Sequence, residues 1–320
     1  MRNKKASTIN CWRPLVKRIH IFLLLVCFSA IYLSSSGHDA KQHQKFSSRS
    51  QMFVAIIVCT KSTGVWKSAN DSSLKSILLP SVTRTLTRDE KNRFRTEVLV
   101  AYDSSDLFWG AVKNRKAVIS SNHVTVNFVA VHKVKNRIPF NEIAELAFVY
   151  GAEYIVRVND DTEFMSVGWI SAGMKVLKNL NPPNTGVVGP VCHPSPQGIL
   201  THDMVHNTHL RIFDTYYPPA FDNWWVDDWI TAVYGHRMKQ LKEWKVRHHV
   251  NAHGTRYEHN DSQKLQLQTL IEMGKQKIVS YVANEPREIS QICRLRRSQI
   301  EMKNGPVVNF WRHFKSQCDS

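Results

Sequence analysis

The sequence predicts an α/β domain with a mostly parallel central sheet, and three observations predict it. Short β-rich apolar runs alternate with stretches of helical apolar spacing after residue 51, the order expected of strands joined by crossover helices. Several of these runs end abruptly in polar or acidic residues, as strands do where they meet a site. A chain of 320 residues with 42% hydrophobic content also has enough apolar mass to bury a substantial core.

Taken in order, residues 53–59 (Phe-Val-Ala-Ile-Ile-Val-Cys) read as a buried first strand. Residues 72–88 follow with helical spacing at Leu74, Ile77, Leu78, Val82 and Leu86, and Pro80 is expected to kink or end that helix. Residues 97–102 form the second strand and run into Asp103 and Asp106; residues 124–131 form the third. Asn141 is placed as the cap of a helix ending at Gly151, with Ile143, Leu146, Ala147 and Tyr150 on one face. Residues 154–158 form the fourth strand and deliver Asn159, Asp160 and Asp161 at its carboxyl end. Beyond it the pattern is less regular: a strand at 186–189, a stretch from 200 to 229 dense in His and aromatics, and a helix over 230–241. There is no internal repeat and no low-complexity tract.

The net charge of +17 raises nucleic acid as a partner, so its location matters. Residues 1–50 hold nine Lys and Arg against one acid, Asp39, and that cluster belongs to an apolar run at 19–33 preceded by Arg13, Lys17 and Arg18. Basic flank then apolar core reads as membrane insertion with the N-terminus cytosolic. A cleaved signal peptide is the competing reading. The expected organisation is a basic tail (1–18), a signal anchor (19–33), a polar stem (34–50) and one catalytic domain (51–320). Two sequons, Asn70-Asp71-Ser72 and Asn260-Asp261-Ser262, fit a lumenal domain. Cys59, Cys192, Cys293 and Cys318 then face an oxidising compartment, and their three pairings stay open.

In open α/β sheets ligands bind outside the carboxyl ends of the strands, which singles out Thr60, Lys61, Asp103, Asp106 and Asn159 to Asp161. An acidic cluster ending a hydrophobic strand suits Mg²⁺ or Mn²⁺ held against a diphosphate, because hard cations take few carboxylate oxygens and leave positions for phosphate and water. A solvated turn with a helix cap at Asp161 or Thr162 is the plain alternative. Asp222-Asn-Trp-Trp-Val-Asp-Asp-Trp229 supplies a second acidic pair, Asp227 and Asp228, set among aromatics.

Over roughly residues 52–260 this layout resembles the GT-A glycosyltransferases, a Rossmann-like fold in which a DxD-type motif ends the fourth strand. The chain departs from the pattern in having Asn159 where the first Asp often stands. The resemblance implies Asp161 as the metal ligand, with Asp160 or Asn159 for ribose or a second metal contact, and Thr60, Lys61 and Asp103 near the nucleotide. It implies a late histidine as a further metal ligand, for which His253 and His259 are candidates, and Arg256 and Lys242 as partners of the diphosphate. In an inverting transferase a carboxylate takes the acceptor hydroxyl's proton, and Asp228, then Asp227, are placed in that role. Tyr216, Tyr217, Phe221, Trp224, Trp225 and Trp229 are either sugar-stacking or core residues.

The expected function is therefore transfer of a sugar from a nucleotide sugar, a UDP-sugar with Mn²⁺ (or Mg²⁺), to a glycan or glycoprotein hydroxyl by a single-pass type II protein of the Golgi membrane, with no nucleic acid partner. Two alternatives are weighed. One is a non-catalytic carbohydrate-binding protein on the same fold. The other is a zinc metallohydrolase using His202 and His206, since His202, His206 and His209 would share one face of a helix.

Overall fold

The computed structural model describes residues 51–283 apart from 120–123, 133–135, 196–197, 251, 255 and 259. The basic tail, the apolar run, the stem, His259, and Cys11, Cys27, Cys293 and Cys318 lie outside the described residues. Among the described residues no helix is long and apolar enough to cross a membrane. Cys59 and Cys192 are buried free thiols, and burial pushes the Cys59 thiol well above its ordinary pKa.

Four parallel strands carry the sequence's clearest signals: β1 (Met52–Thr60), β2 (Phe94–Asp103), β3 (Thr125–Val131) and β4 (Tyr154–Asn159). They are joined by β5 (Thr162–Phe164), β6 (Val187–His193), β7 (Asp203–His206) and β8 (Met238–His248) in one sheet of order β3-β2-β1-β4-β7-β6-β8-β5. β7 runs against β4 and β6, and β5 runs against β8, so the sheet is mixed but mostly parallel. Period-two side-chain alternation divides β1 between two cores. Val54, Ile56 and Val58 pack beneath α1 (Leu79–Thr85), α3 (Leu107–Gly110), α4 (Val112–Ile119) and α6 (Trp169–Lys178), and a short α2 (Arg88–Arg93) leads into β2. Phe53, Ala55, Ile57 and Cys59 face α5 (Phe140–Val149), α7 (Thr208–Phe213), α8 (Val226–Val233) and α9 (Leu267–Ala283). Helices on both faces explain why the β1 run is apolar throughout rather than alternating.

Three expectations are corrected. Pro80 does not end its helix: a π turn, Leu74–Leu78, runs directly into α1, and Pro80 stands just after that change of winding, as the second residue of α1. Asn141 is not a cap, since Pro139 precedes α5 and Asn141 instead pairs with the backbone of Tyr217, accepting from its N–H at 2.7 Å and donating to its carbonyl at 2.9 Å. The stretch 230–241 is not one helix. α8 ends at Val233, Gly235 takes a left-handed φ of 53°, and from Met238 the chain is strand. Leu241, Trp244 and Val246 of β8 point into the core, but a register shift opposite Pro190 and Val191 disrupts the alternation that would have announced a strand.

Candidate ligand site at the carboxyl ends of the parallel strands

Parallel pairing brings the ends of β1, β2, β3 and β4 to one edge of the sheet, with Cys59 opposite Asn159 and Asp103 opposite Val131. There a cavity of about 370 Å³ opens, lined by Thr60, Lys61 and Asp103 from the strand ends, by Arg137 and Glu142 beside β3 and α5, and by Arg256 and Tyr257 from the chain after β8. Three of the predicted residues thus share one wall. Asp103 Oδ1 accepts from the Ser105 backbone N–H at 2.8 Å and from its hydroxyl at 2.7 Å.

Asp160 lies beneath that wall, completely buried. One carboxylate oxygen accepts from Thr60 Oγ1 at 2.7 Å and from Arg256 Nη1 at 2.8 Å; the other accepts from Arg256 Nη2 at 2.5 Å. Arg256 also donates to the Lys61 carbonyl at 3.1 Å, while Lys61 Nζ donates back to the Arg256 carbonyl at 2.9 Å. Burial alone would depress the Arg256 pKa, but the Asp160 carboxylate more than offsets it and holds the guanidinium above its ordinary value. Asp160 is therefore an anchor for Arg256, with both its oxygens already engaged.

Asp161 points elsewhere. Antiparallel pairing sets Thr162 opposite His248, and His249 N–H donates to the Asp161 carbonyl at 3.0 Å, so β8 delivers His248 to this carboxylate. His248 Nε2 stands 2.9 Å from Asp161 Oδ1 and 3.2 Å from Asn159 Nδ2. Nε2 can accept from the Asn159 amide or donate to Asp161, but not both at once. Asp161 Oδ1 is a buried oxygen without a hydrogen bond of acceptable geometry. Burial pushes the Asp161 pKa up, while His248 and Arg256 outweigh it and leave the carboxyl below its ordinary range, hence ionised.

The other predicted ligands fall differently. His253 Nε2 accepts from the Ser73 backbone N–H at 3.1 Å and lies 2.5 Å from the Ser73 hydroxyl, which ties it to the start of the π turn. Among the described residues no three His, Cys, Asp or Glu side chains converge as a metal site. The zinc reading on His202 and His206 is overturned: Asp203–His206 is strand β7, so these residues share no helical face. His202 instead contacts Thr162 Oγ1 at 2.6 Å, and burial, then Arg157 and His248, drive its pKa well below the usual value. His209 lies between Tyr234 Oη and the Tyr216 carbonyl.

The acidic pair opens α8. Asp227 Oδ1 accepts from Arg157 Nη2 at 2.5 Å, whereas Asp228 carries no hydrogen bond or ion pair among the described residues. Arg157 and Asn159 share a face of β4 one strand period apart, about 7 Å, which puts the pair at the same strand end as the 159–161 segment. Of the neighbouring aromatics, Tyr216, Tyr217, Phe221 and Trp229 are core; Trp224, 44% exposed, is the one that faces solvent most. Sequence reasoning missed Arg157 and His248. An arginine inside Tyr-Ile-Val-Arg-Val was a signal in plain view, because a buried guanidinium demands acidic partners.

No family model and no curated protein matches the chain. Among solved structures, it is similar to residues 1–349 of TarS from S. aureus, at 13% identity over 78% of this chain and 72% of that one, with a TM-score of 0.44. A second structure of the same protein in complex with UDP gives 12% identity over 81% and 74% of the two chains, also at 0.44. The mannosyltransferase PcManGT from Pyrobaculum calidifontis, in complex with GDP-Man and Mn²⁺, gives 12% identity over 95% and 92%, again at 0.44. Likeness this distant carries no argument about function, which must stand on the chain's own residues.

Proposed function

We propose that the chain is a metal-dependent glycosyltransferase of the GT-A type, moving a sugar from a nucleoside diphosphate donor, a UDP-sugar, to a hydroxyl of a glycan or glycoprotein. The observation that carries this reading is the presence, at one strand end, of a charged cavity in which Lys61, Arg137 and Arg256 stand with Asp103, Glu142 and Glu258, and of a buried, ionised Asp161 whose Oδ1 faces an imidazole nitrogen and lacks a hydrogen bond. A carboxylate and an imidazole converging in this way fit a divalent ion, Mn²⁺ or Mg²⁺, with phosphate and water completing its shell. Asp161 and His248 would hold it, and when bound it neutralises charge on the departing diphosphate.

The chain's own residues supply the rest. Lys61 and Arg256 present positive charge to the diphosphate side of the cavity, and Tyr257 offers a ring surface beside them. Asp103 accepts hydrogen bonds from a nucleoside. Asp228 takes the acceptor proton, since it alone of the pair has no cationic partner among the described residues. The N-terminal anchor and the sequons support a lumenal, Golgi-membrane placement of this activity.

Calorimetry with UDP and with GDP, each with and without Mn²⁺, followed by a screen of UDP- and GDP-sugars for nucleotide release, tests the proposal. Metal-dependent binding and turnover are expected; binding of free sugar with no nucleotide or metal requirement would instead favour a non-catalytic carbohydrate-binding protein.

A further inference from the structure

We infer that Arg157 is a positioning residue: it fixes the acidic pair of α8 against the end of β4, with Asp227 as its anchor and Asp228 as the group presented to the acceptor. The inference rests on the transferase reading above and adds a division of labour within the pair.

Arg157 is only 2% exposed, in the middle of the central strand, and its donors are spread over several parts of the chain. Nε is shared between Asp203 Oδ2 at 3.0 Å and Tyr217 Oη at 2.6 Å, Nη1 donates to the Thr201 carbonyl, and Nη2 donates to Asp227 Oδ1. Tyr216 and Tyr217 also donate to Asp203, at 2.5 and 2.9 Å, so the buried carboxylate has hydrogen bonds besides the one from Arg157. The bond to Asp227 differs from these. Asp227 is 34% exposed and water could solvate it, so burial does not require the contact from its side. What the contact does is orient the first turn of α8.

That turn is also held from outside. Trp225, immediately before α8, has a left-handed φ of 71°, a conformation that persists only where surroundings enforce it. Its indole Nε1 donates to the Asn260 carbonyl at 3.2 Å, and Lys264 Nζ lies 5.0 Å from its ring centre. Asn223, two residues earlier, donates to the carbonyls of Asn136 and Glu258 at 3.0 and 3.2 Å. With Trp225 pinned outward and Asp227 pinned inward, the next residue is turned about 100° around the helix. Among the described residues Asp228 is left unengaged, at a fixed place.

The test uses Arg157→Lys, Asp227→Asn and the double variant in the full chain. Three readouts are taken: UDP affinity with Mn²⁺, kcat and donor KM with the nucleotide sugar that the wild type turns over, and amide exchange over residues 226–229. The inference expects UDP affinity and donor KM within twofold of wild type, kcat lower by tenfold or more, exchange in the α8 turn faster by tenfold or more, and no further loss in the double variant. It is overturned if kcat and exchange are unchanged, or if UDP affinity falls in step with kcat and melting temperature, which is what a purely structural residue gives. It is also overturned if Asp227→Asn abolishes turnover while Asp228→Asn retains it. Should Arg157→Lys fail to fold, Asp227→Asn decides alone, since that side chain is partly solvated. A wild type that binds neither UDP nor GDP removes the transferase reading itself, and the positioning role with it; wild-type binding with unaffected variants removes only the positioning role.

Discussion

Adjacent carboxylates on one strand end are given opposite environments. Asp160 receives a hydroxyl and a bidentate guanidinium, whereas Asp161 receives an imidazole nitrogen that it shares with the Asn159 amide. Removing the partner of a fully buried carboxylate leaves an uncompensated charge, so Arg256→Met is expected to destabilise the fold by about 3 to 5 kcal/mol. Urea unfolding measures this. Asp161→Asn should leave stability within about 1 kcal/mol, because it relieves an unsatisfied oxygen, yet weaken Mn²⁺-dependent UDP binding by about a hundredfold. Calorimetry with and without Mn²⁺ separates the two effects. Asp228→Asn should retain UDP binding and lose transfer, read as nucleotide release in the presence of acceptor. The sequence placed Thr60, Lys61 and Asp103 at the cavity because strand ends are local features. The resemblance set Asp161 apart from Asp160, but the residues themselves gave no physical reason for it, since the difference is made by Arg256 and His248, roughly ninety residues away.

Helix α8 owes its position to α9 as well as to Arg157. At Gly274 the two helices approach so closely that an added Cβ would lie 2.4 Å from Val233 Cγ2 and 3.4 Å from Trp229 Cζ2. Gly274→Val should therefore destabilise by about 1 to 3 kcal/mol through overpacking, and the displaced α8 should lower turnover more than UDP affinity. Thermal melts and the turnover assay check both. The first four strands were legible because each is a compact apolar run bounded by polar residues. β8 was not: its bulge breaks the alternation, and Lys242, Glu243 and Lys245 between Leu241 and Val246 give it a mixed surface character. β8 also brings His248, which its surroundings in the sequence do not single out, to the Asp161 carboxylate. The helical reading of His202 and His206 failed for a related reason, as four residues between the β6 partner and β4 carry too little pattern to distinguish strand from helix.

Three histidines, His202 and His209 buried and His206 partly so, set how the whole molecule responds to acid. Burial drives His202 well below its ordinary pKa and takes His206 and His209 down to about 4. Below pH ~6.5 the unfolded chain binds protons on these groups that the folded chain refuses, so stability falls as pH drops from ~6.5 towards ~4 and is flat in their contribution above it. At pH 5 the loss is about 2 kcal/mol for each fully buried group. Asp203, pushed up by burial, works in the opposite sense at lower pH. Melting temperatures across pH 4.5 to 8 should show this decline, and a plateau down to pH 5 would contradict the burial of these rings.

The reciprocal bonding of Lys61 and Arg256 joins positions 195 apart in the chain. During synthesis the early strands emerge long before their counterion does, and Asp160 must wait without one until almost the whole domain has left the ribosome. Shortened products that end ahead of β8 are thus expected to be caught as incompletely folded chains, whatever the quality of their first four strands.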